Sequence, residues 1–545
     1  MALLITNGRI ATMDFRVPTA EAAVAVGDYF AYVGEAAGAK EFLRALPKEP
    51  VETLNLGGRL LTPGFHDSHM HYLHYVRAKV LATELSGARS LAGMLDLLRA
   101  AAQSHDPGSE RWIVGEGWNQ ERFCDEKRFP TRRDLDRVSR DIPILAMRGC
   151  FHVGVLNSKA MELMHIDEHT DAFGEYAGRQ EDGALNGVFL EQAIDDIKKD
   201  VPAPGIEELT EMMCACQKDL FACGITSIQS DDLKYVCEGS AHELLYHLRD
   251  AAQRKKLRLR MGEQCLLDTP EAQRAFFDEG FDHNFGGDTF HISCVKLLAD
   301  GSLGARTALM SKPYADAPDT RGLSVYTQEE LNALVLNVHK RNMPVAIHAI
   351  GDGAVEMALN AIERAQRLLP GLHPRHGVVH CQITDRALIR RFADLGATAF
   401  IQPVFIDSDM DICAARVGEE TASTSYGWKE MLRQGICAPF GTDCPVESFD
   451  VRQGLWCAVT RRSVDGKRGP FLPEQALTLE QAVHAYTALG AWAEGMEGRK
   501  GKILPGMLAD FAVWDRDMFA LPPQEILRAN VTDTFVAGER VYCAE

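Results

Sequence analysis

Two histidines stand one residue apart in the segment PGFHDSHMHYLH, residues 63–74. His69 and His71 flank Met70, and in an extended strand alternate side chains project from the same face. Two imidazoles on one face can bind one metal ion, because imidazole nitrogen is a preferred ligand of zinc. A single histidine on a strand is more often a buried residue with a local hydrogen bond, so this pair alone is a moderately specific signal.

Four more residues of metal-ligand type lie at the ends of apolar, strand-like segments. In parallel β/α folds the carboxyl ends of the strands meet at one face, so side chains far apart in sequence can converge there. Taken alone, each position could equally hold a buried polar residue with a local partner. A chance occurrence of all these residues at strand ends is much less probable than one shared metal site. The four residues are Lys296 in HISCVKLLADG, His348 in MPVAIHAIGDG, His380 in HGVVHCQ and Asp443 in CAPFGTDCPVE.

Lys296 lies in an apolar stretch between Val295 and Leu297, where a charged ammonium is costly unless it is paired or neutral. A neutral lysine amine can react with CO₂ to form a carbamate, an anionic group suited to bridging two metal ions. The alternative is a buried lysine paired with Asp300 or another acid. The residues by themselves favour neither.

Strand-like and helix-like segments alternate through the middle of the chain. Apolar runs such as 343–350 and 376–381 are separated by segments such as TQEELNALVLNVHKRN, whose apolar residues recur with the helical period. This alternation predicts parallel βαβ units. Counting the segment with His69 as the first strand gives eight, so we predict an α/β fold built on a (β/α)₈ TIM barrel. An open doubly wound sheet is the alternative, but no GxGxxG motif follows an early strand.

The two ends of the chain share a pattern of short strands separated by glycine-containing turns. Because termini often lie close together, we predict that residues 1–62 and 495–545 form one small β-sandwich domain. Two unrelated β-extensions are the alternative. The barrel domain then spans 63–494. Within it, residues 80–215 form a stretch too long for one crossover, which predicts a subdomain inserted after the first strand that shapes the substrate pocket.

Composition and charge exclude several classes of protein. The 545 residues include 58 Lys and Arg and 77 Asp and Glu, a formal net charge of −19 that argues against nucleic-acid binding. No run of about 18 apolar residues predicts a membrane span, and the start MALLITNGRIATMD lacks the features of a signal peptide. The 14 cysteines are scattered without a CxxC, which is typical of reduced thiols. We therefore expect a cytoplasmic protein that binds neither nucleic acid nor membrane, and its oligomeric state stays open, a homodimer included.

The ligand-type residues together resemble the metal-binding pattern of the amidohydrolase superfamily. The wider sequence is similar to the amidohydrolase-3 branch, the metal-dependent hydrolases that include N-substituted formamide deformylase-like enzymes. The similarity covers nearly the whole chain. The matching phrases are PGFHDSHMH, GWNQERF, PILAMRGCFHVGVLNSKAM, GITSIQS, VKLLADGSLGARTALM, VAIHAIGDGAVEMAL, VVHCQ, IQPVF, GTDCPVES and GKILPGMLADFAVWD.

This resemblance implies a hydrolase that cleaves a non-peptide carbon–nitrogen bond of amide type in a small molecule through metal-activated hydroxide. It implies one or two divalent ions, zinc foremost, with the first held by the HxH pair and Asp443. A carbamate on Lys296 would bridge to a second ion at His348 and His380. Asp443 would also act as the general base. The alternatives are hydrolysis of a cyclic amide or lactone, or a catalytically idle regulatory or binding protein on the same fold.

Three further residues are candidates for substrate contact. Trp118 in GEGWNQ and His152 in CFHVGVLN lie in the predicted insertion, where we expect them to line the pocket. Arg306 in GSLGARTA, just past the strand of Lys296, could bind a substrate carboxylate or pair with Asp300. A structural role is the alternative for each of them.

Overall fold

The computed structural model describes residues 2–46, 50–105, 111–149, 152–167, 170–236 and 241–544. Cys150 and Phe151, which belong to the phrase PILAMRGCFHVGVLNSKAM, lie outside the described residues. The chain divides into two compact units, one of Met1–Tyr72 with Met213–Glu545 and the other of Leu73–Met212.

The strands are numbered in chain order. They are β1 (Ala2–Ala11), β2 (Thr19–Val26), β3 (Tyr29–Gly34), β4 (Val51–Asn55), β5 (Leu60–Pro63), β6 (Phe65–Met70), β7 (Ala82–Glu84), β8 (Ile113–Trp118), β9 (Ile144–Arg148), β10 (Val153–Leu156), β11 (Ala177–Arg179), β12 (Leu185–Leu190), β13 (Ile225–Ser230), β14 (Arg260–Leu266), β15 (Phe290–Leu298), β16 (Val345–Ala349), β17 (Gly377–His380), β18 (Thr398–Phe400), β19 (Phe511–Trp514), β20 (Val531–Val536) and β21 (Glu539–Cys543).

The α-helices are numbered in the same way. They are α1 (Ala36–Ala45), α2 (Tyr72–Leu81), α3 (Leu91–Ser104), α4 (Arg132–Leu135), α5 (Ser158–Leu163), α6 (Glu191–Asp200), α7 (Ile206–Ala222), α8 (Ala241–Gln253), α9 (Pro270–Asp278), α10 (Gln328–His339), α11 (Asp352–Leu368), α12 (Arg386–Leu395), α13 (Ile406–Asp409), α14 (Cys413–Val417), α15 (Glu419–Ala422), α16 (Trp428–Arg433), α17 (Val451–Thr460), α18 (Leu479–His484) and α19 (Gly490–Ala493). No helix in the described part of the chain combines the length and the apolar character that crossing a bilayer requires.

A parallel sheet of seven strands carries most of the predicted metal ligands, in the order β18-β17-β16-β15-β14-β13-β6. Between its two edges lies the segment 437–441. Ile401 N–H donates to Pro439 O at 3.0 Å, and Ser68 N–H donates to Phe440 O at 3.0 Å. The sheet is therefore a nearly closed, barrel-like structure of seven strands where the sequence predicts eight. Since Pro439 has no N–H to donate, the segment in the eighth position pairs too sparsely to form a regular strand.

Small and apolar side chains fill the interior of this sheet next to the predicted ligands. Cys294 and Ala346 each precede a ligand-type residue of their strand by two positions, so they share its face. They belong to one buried apolar cluster. The ligands therefore lie beside apolar side chains that exclude water. The buried members of the cluster are Cys294, Ala346, Val379, Phe400 and Ala493.

Both ends of the chain form one sheet, in the order β21-β20-β19-β5-β1-β2-β3, with β4 also paired to β1. The long strand β1 pairs with β4 along residues 2–6 and with β5 at residues 9–10, so the sheet branches there. The N- and C-terminal strands join where β5 runs antiparallel to β19. The strands of both ends are thus continuous in one branched sheet, and the predicted β-sandwich is not confirmed.

The unit Leu73–Met212 contains its own six-stranded sheet, in the order β11-β12-β10-β9-β8-β7. Two apolar clusters pack within it. One surrounds Met94 and Trp118, and the other surrounds Met147 and Phe189. Alternate side chains along β9 belong to different clusters, as expected for a strand that is buried on both faces.

A buried charged cluster lies near the amino ends of β6 and β15. The Glu494 carboxylate is 2.6 Å from Lys500 Nζ, 3.3 Å from His291 Nε2 and 3.8 Å from His66 Nδ1. Burial lowers the pKa of His66 to about 3 and also lowers that of His291. Burial acts to raise the pKa of Glu494, but the opposite charge of Lys500 is the largest effect in the other direction, and the pKa is lowered to about 2. The two histidines are therefore neutral in the folded protein.

Acid is expected to destabilise the fold through this cluster. As pH falls from 6.5 towards 3, the unfolded chain protonates His66 and the folded chain does not. The free energy of unfolding should drop by about 1.4 kcal/mol per pH unit from His66 alone. Below pH 4.5 Glu494 adds a loss of the same sign, because its folded pKa lies below its unfolded value.

Urea unfolding at several pH values between 7 and 4 measures this effect. The variant His66→Gln should show a shallower pH dependence than the wild type. The matched control is His283→Gln, which changes an exposed histidine. Equal slopes for the wild type and His66→Gln would contradict the prediction.

Candidate metal centre

The six predicted metal ligands lie at or near the carboxyl ends of neighbouring strands of the barrel-like sheet. Five of them are buried, and the His348 side chain is 18% exposed. Backbone hydrogen bonds of the sheet hold the Cα atoms of these residues in place, so the side chains project from fixed positions. His69 lies in β6 and His71 directly follows it, Lys296 lies in β15, His348 in β16, His380 ends β17, and Asp443 follows the segment 437–441.

Short distances join these side chains into one cluster. Asp443 Oδ1 lies 3.0 Å from His71 Nε2 and 3.4 Å from His69 Nε2. Lys296 Nζ lies 3.0 Å from His69 Nε2. One ligand atom each of His69, His380 and Asp443 lie within 4.8 Å of one another. The structure therefore brings together five predicted ligands, of which the first and the last, His69 and Asp443, lie 374 positions apart in the chain.

His348 extends the cluster, since its ring centre lies 4.5 Å from that of His380. In all four histidines Nδ1 faces an oxygen, which places the proton of the neutral imidazole on Nδ1 and leaves the lone pair on Nε2. The pairs are His69 with Gln264 Oε1 at 2.8 Å, His71 with Asp231 O at 3.3 Å, His348 with Asp300 Oδ1 at 3.0 Å, and His380 with Gln402 Oε1 at 2.9 Å.

The orientation of the Gln264 amide is set by its own contacts. Its Nε2 donates to Ser68 O at 3.2 Å and to Gln229 Oε1 at 3.0 Å, so Oε1 is the atom that faces His69. His69 must then donate through Nδ1, which leaves Nε2 as an acceptor facing the cluster.

Asp443 Oδ1 is a buried oxygen to which no donor within the described ranges makes a hydrogen bond. The nearest ring nitrogens, Nε2 of His69 and of His71, carry lone pairs in this tautomer and cannot donate to a carboxylate. Acceptors that face one another are satisfied by a cation between them. Imidazole nitrogen together with carboxylate oxygen is a donor set that divalent transition metals prefer, so these residues fit such an ion.

Burial also gives the cluster the protonation states that metal binding requires. It lowers the pKa of His69 to about 4, with the nearby Lys296 ammonium acting in the same direction. Burial and the neighbouring His348 hold the pKa of His380 well below its usual range. Burial lowers the pKa of Lys296 to about 8. The two imidazoles are therefore neutral at pH 7, and part of the Lys296 population is a neutral amine.

Backbone strain is concentrated at the same place. His380, Cys381 and Asp443 have φ of 80°, 48° and 60°, a left-handed conformation that costs a residue with a side chain about 1 kcal/mol or more. Gly441 permits close approach of the Asp443 segment to β6, since a Cβ there would lie 2.7 Å from His69 N. Such strain persists only where the surroundings hold it, and it is typical of functional sites.

The sequence analysis missed the residues that orient the histidines. Gln264, Gln402 and Asp231 are polar residues within two positions of the carboxyl end of a strand, and that position was an available signal. The sequence analysis considered Asp300 only as a partner of Lys296 or of Arg306. In the part of the chain that the structure describes, Asp300 binds His348 instead, and Lys296 faces His69.

Trp118 and His152 lie in the unit Leu73–Met212. Trp118 has no exposed surface, its Nε1–H donates to Ala146 O at 3.1 Å, and its ring packs against Phe129. His152 is exposed, and its Nδ1 lies 2.9 Å from Glu191 Oε2. Both side chains have partners within that unit.

Arg306 lies in the segment between β15 and α10, where its φ of 58° turns the chain. Its guanidinium donates two hydrogen bonds to Asp316, at 3.0 and 2.9 Å. Arg416 binds the same carboxylate from α14. Arg306 is thus paired with Asp316 and not with Asp300. This ion pair joins two residues of the same segment between β15 and α10.

Comparison with known proteins places this centre in a family of hydrolases. The amidohydrolase YtcJ of Bacillus subtilis (strain 168) is 33% identical over 494 residues, 90% of this chain and 90% of that protein. N-substituted formamide deformylase of Arthrobacter pascens is 24% identical over 551 residues, 99% of this chain and 98% of that protein. The crystal structure of a metal-dependent hydrolase from Pyrococcus horikoshii OT3 matches with a TM-score of 0.77 at 28% identity, covering 96% of this chain and 99% of that one.

These relatives confirm the resemblance to the amidohydrolase-3 branch, and the first and third share at least 28% of their residues with this chain. The sequence profile of the amidohydrolase family matches residues 52–542, which include all six ligand-type residues of the centre. The chain therefore belongs to the amidohydrolase family.

Proposed function

We propose that this amidohydrolase cleaves a non-peptide carbon–nitrogen bond of amide type in a small molecule, with one or two divalent ions, zinc foremost. One observation carries the proposal: a buried Asp443 oxygen without a donor faces the Nε2 lone pairs of His69 and His71. The similarity to a relative named N-substituted formamide deformylase supports the bond type.

The same residues divide into two sets of ligands. His69, His71 and Asp443 would hold the first ion, and His348 with His380 would hold the second. Lys296 lies next to the first set, with Nζ 3.0 Å from His69 Nε2. Burial lowers the pKa of Lys296 and so favours the neutral amine, whose nitrogen would form a bond to the carbon of CO₂ and lose a proton, giving a carbamate that would serve as an anionic metal ligand.

A divalent ion in this centre supplies positive charge that lowers the pKa of water and polarises a carbonyl oxygen. Asp443 accepts the proton of the attacking water, because its buried Oδ1 receives no hydrogen bond from a donor among the described residues. It then delivers that proton to the leaving nitrogen, which would otherwise depart as an unstable anion. The acceptors behind each histidine keep Nε2 in place during both steps.

Metal analysis combined with a substrate panel tests the proposal. The purified protein should contain one to two equivalents of a divalent transition metal, and chelation should abolish hydrolysis of N-formyl and N-acyl amines. The same panel includes cyclic amides and lactones, and hydrolysis of either class would identify the corresponding alternative reaction. Full activity in metal-free protein would contradict the proposal.

A further inference from the structure

We infer that Asp300 is a positioning residue for the second metal ion, because it holds the His348 imidazole and couples it to the segment 301–311. This inference rests on the proposed function. It concerns two segments of the sequence, VKLLADGSLGARTALM and VAIHAIGDGAVEMAL. In these segments the proposed mechanism gives a role only to the metal ligands Lys296 and His348.

The Asp300 carboxylate is buried and fully occupied by contacts. Its Oδ1 lies 3.0 Å from His348 Nδ1 and accepts the Ile350 N–H at 3.1 Å. Its Oδ2 accepts the Gly351 N–H at 2.9 Å and the Leu309 N–H at 3.0 Å. One side chain therefore joins a metal ligand on β16, the turn that follows it, and the segment 301–311.

The segment 301–311 is packed directly on the start of α11. A Cβ on Gly351 would lie 2.0 Å from Leu309 O, so only glycine permits this approach. Ala354 N–H donates to Leu309 O at 3.2 Å, and Ser311 N–H donates to Asp352 Oδ1 at 2.8 Å. A shift of this segment would therefore move the Asp300 carboxylate and, through it, the His348 ring.

Of the four histidines, His348 has its Nδ1 within hydrogen-bond distance of a carboxylate oxygen, whereas the Asp231 carboxylate lies 3.9 Å from His71 Nδ1. Gln264, Gln402 and a backbone carbonyl are neutral acceptors for the others. A carboxylate on Nδ1–H raises the basicity of the ligating nitrogen and fixes the ring. Affinity for the second ion should therefore depend on Asp300, and affinity for the first should not.

Zinc titration of the metal-stripped enzyme, with bound metal measured directly, tests this. Asp300→Asn should bind the first equivalent as the wild type does and the second about 10–100-fold more weakly. The matched control is Asp134→Asn, which makes the same chemical change in a buried carboxylate that binds Arg128 and Thr131 and no histidine. It should bind both equivalents as the wild type does.

The outcomes separate the inference from the proposed function. The inference is overturned if Asp300→Asn binds both ions with the affinity of the wild type. It is also overturned if the wild-type enzyme saturates at one equivalent of zinc. Neither result contradicts the proposed function. A wild type that binds no metal overturns the function itself.

Hydrogen exchange in the wild type keeps the inference testable if Asp300→Asn does not fold. Coupling between two sites is reciprocal, so zinc at the second site must stabilise the segment that supports it. Exchange at the amides of Leu309 and Gly351 should slow between one and two equivalents of zinc. Unchanged exchange there would overturn the inference.

Discussion

Replacing Asp443 by asparagine is expected to lower kcat by about 10²–10⁴-fold, the typical loss for a positioned general acid–base. Asparagine keeps the shape and one oxygen donor but cannot accept the proton. Metal content should fall by a much smaller factor than kcat, because His69 and His71 remain, together with the acceptors that orient their rings. KM should change little, since the carboxylate acts mainly in the transition state.

Steady-state kinetics with metal quantified in the same preparations measures this effect. Asp409→Asn serves as a control. That carboxylate is also buried, but Tyr426 Oη at 2.8 Å and Gln382 Nε2 at 3.0 Å donate to it, and burial raises its pKa to about 6. Near-normal kcat in metal-loaded Asp443→Asn would assign the proton transfer to another residue.

Replacing Lys296 by alanine is expected to remove metal and activity together. The residual rate should equal that of the chelated wild type, because the group proposed to join the two ions is gone. Bicarbonate with a short carboxylate such as acetate should restore part of both, since a free carboxylate can occupy the space that the side chain leaves.

Lys234→Ala is the matched control, because it removes a nearby ammonium that lies 3.4 Å from Asp231 Oδ2 and not against His69. It should retain metal and activity. ¹³C-bicarbonate should give a carbamate resonance in the wild type and none in Lys296→Ala. If Lys296→Ala keeps its metal and its rate without added carboxylate, the bridging role is wrong.

The sequence alone determined the residue types of the centre and the kind of fold that assembles them. The HxH spacing predicts two imidazoles on one strand face, because side-chain alternation is a local property of extended backbone. The alternation of strand-like and helix-like segments around Lys296, His348 and His380 predicts parallel strands, because a helical crossover returns the chain to the same end of the sheet. The family resemblance rests on these same positions and is confirmed over residues 52–542.

Only the tertiary structure decided which groups meet. The partners of His69 and His348, Gln264 and Asp300, are 195 and 48 positions away, and strand neighbours rather than sequence bring them into reach. The seven-stranded sheet follows from the sparse pairing around Pro439, which strand counting does not detect. Trp118 lies buried in a core because packing against Phe129 and its neighbours removes it from water. Local periodicity specifies which face a side chain takes, whereas hydrogen-bond partners depend on which strands lie side by side.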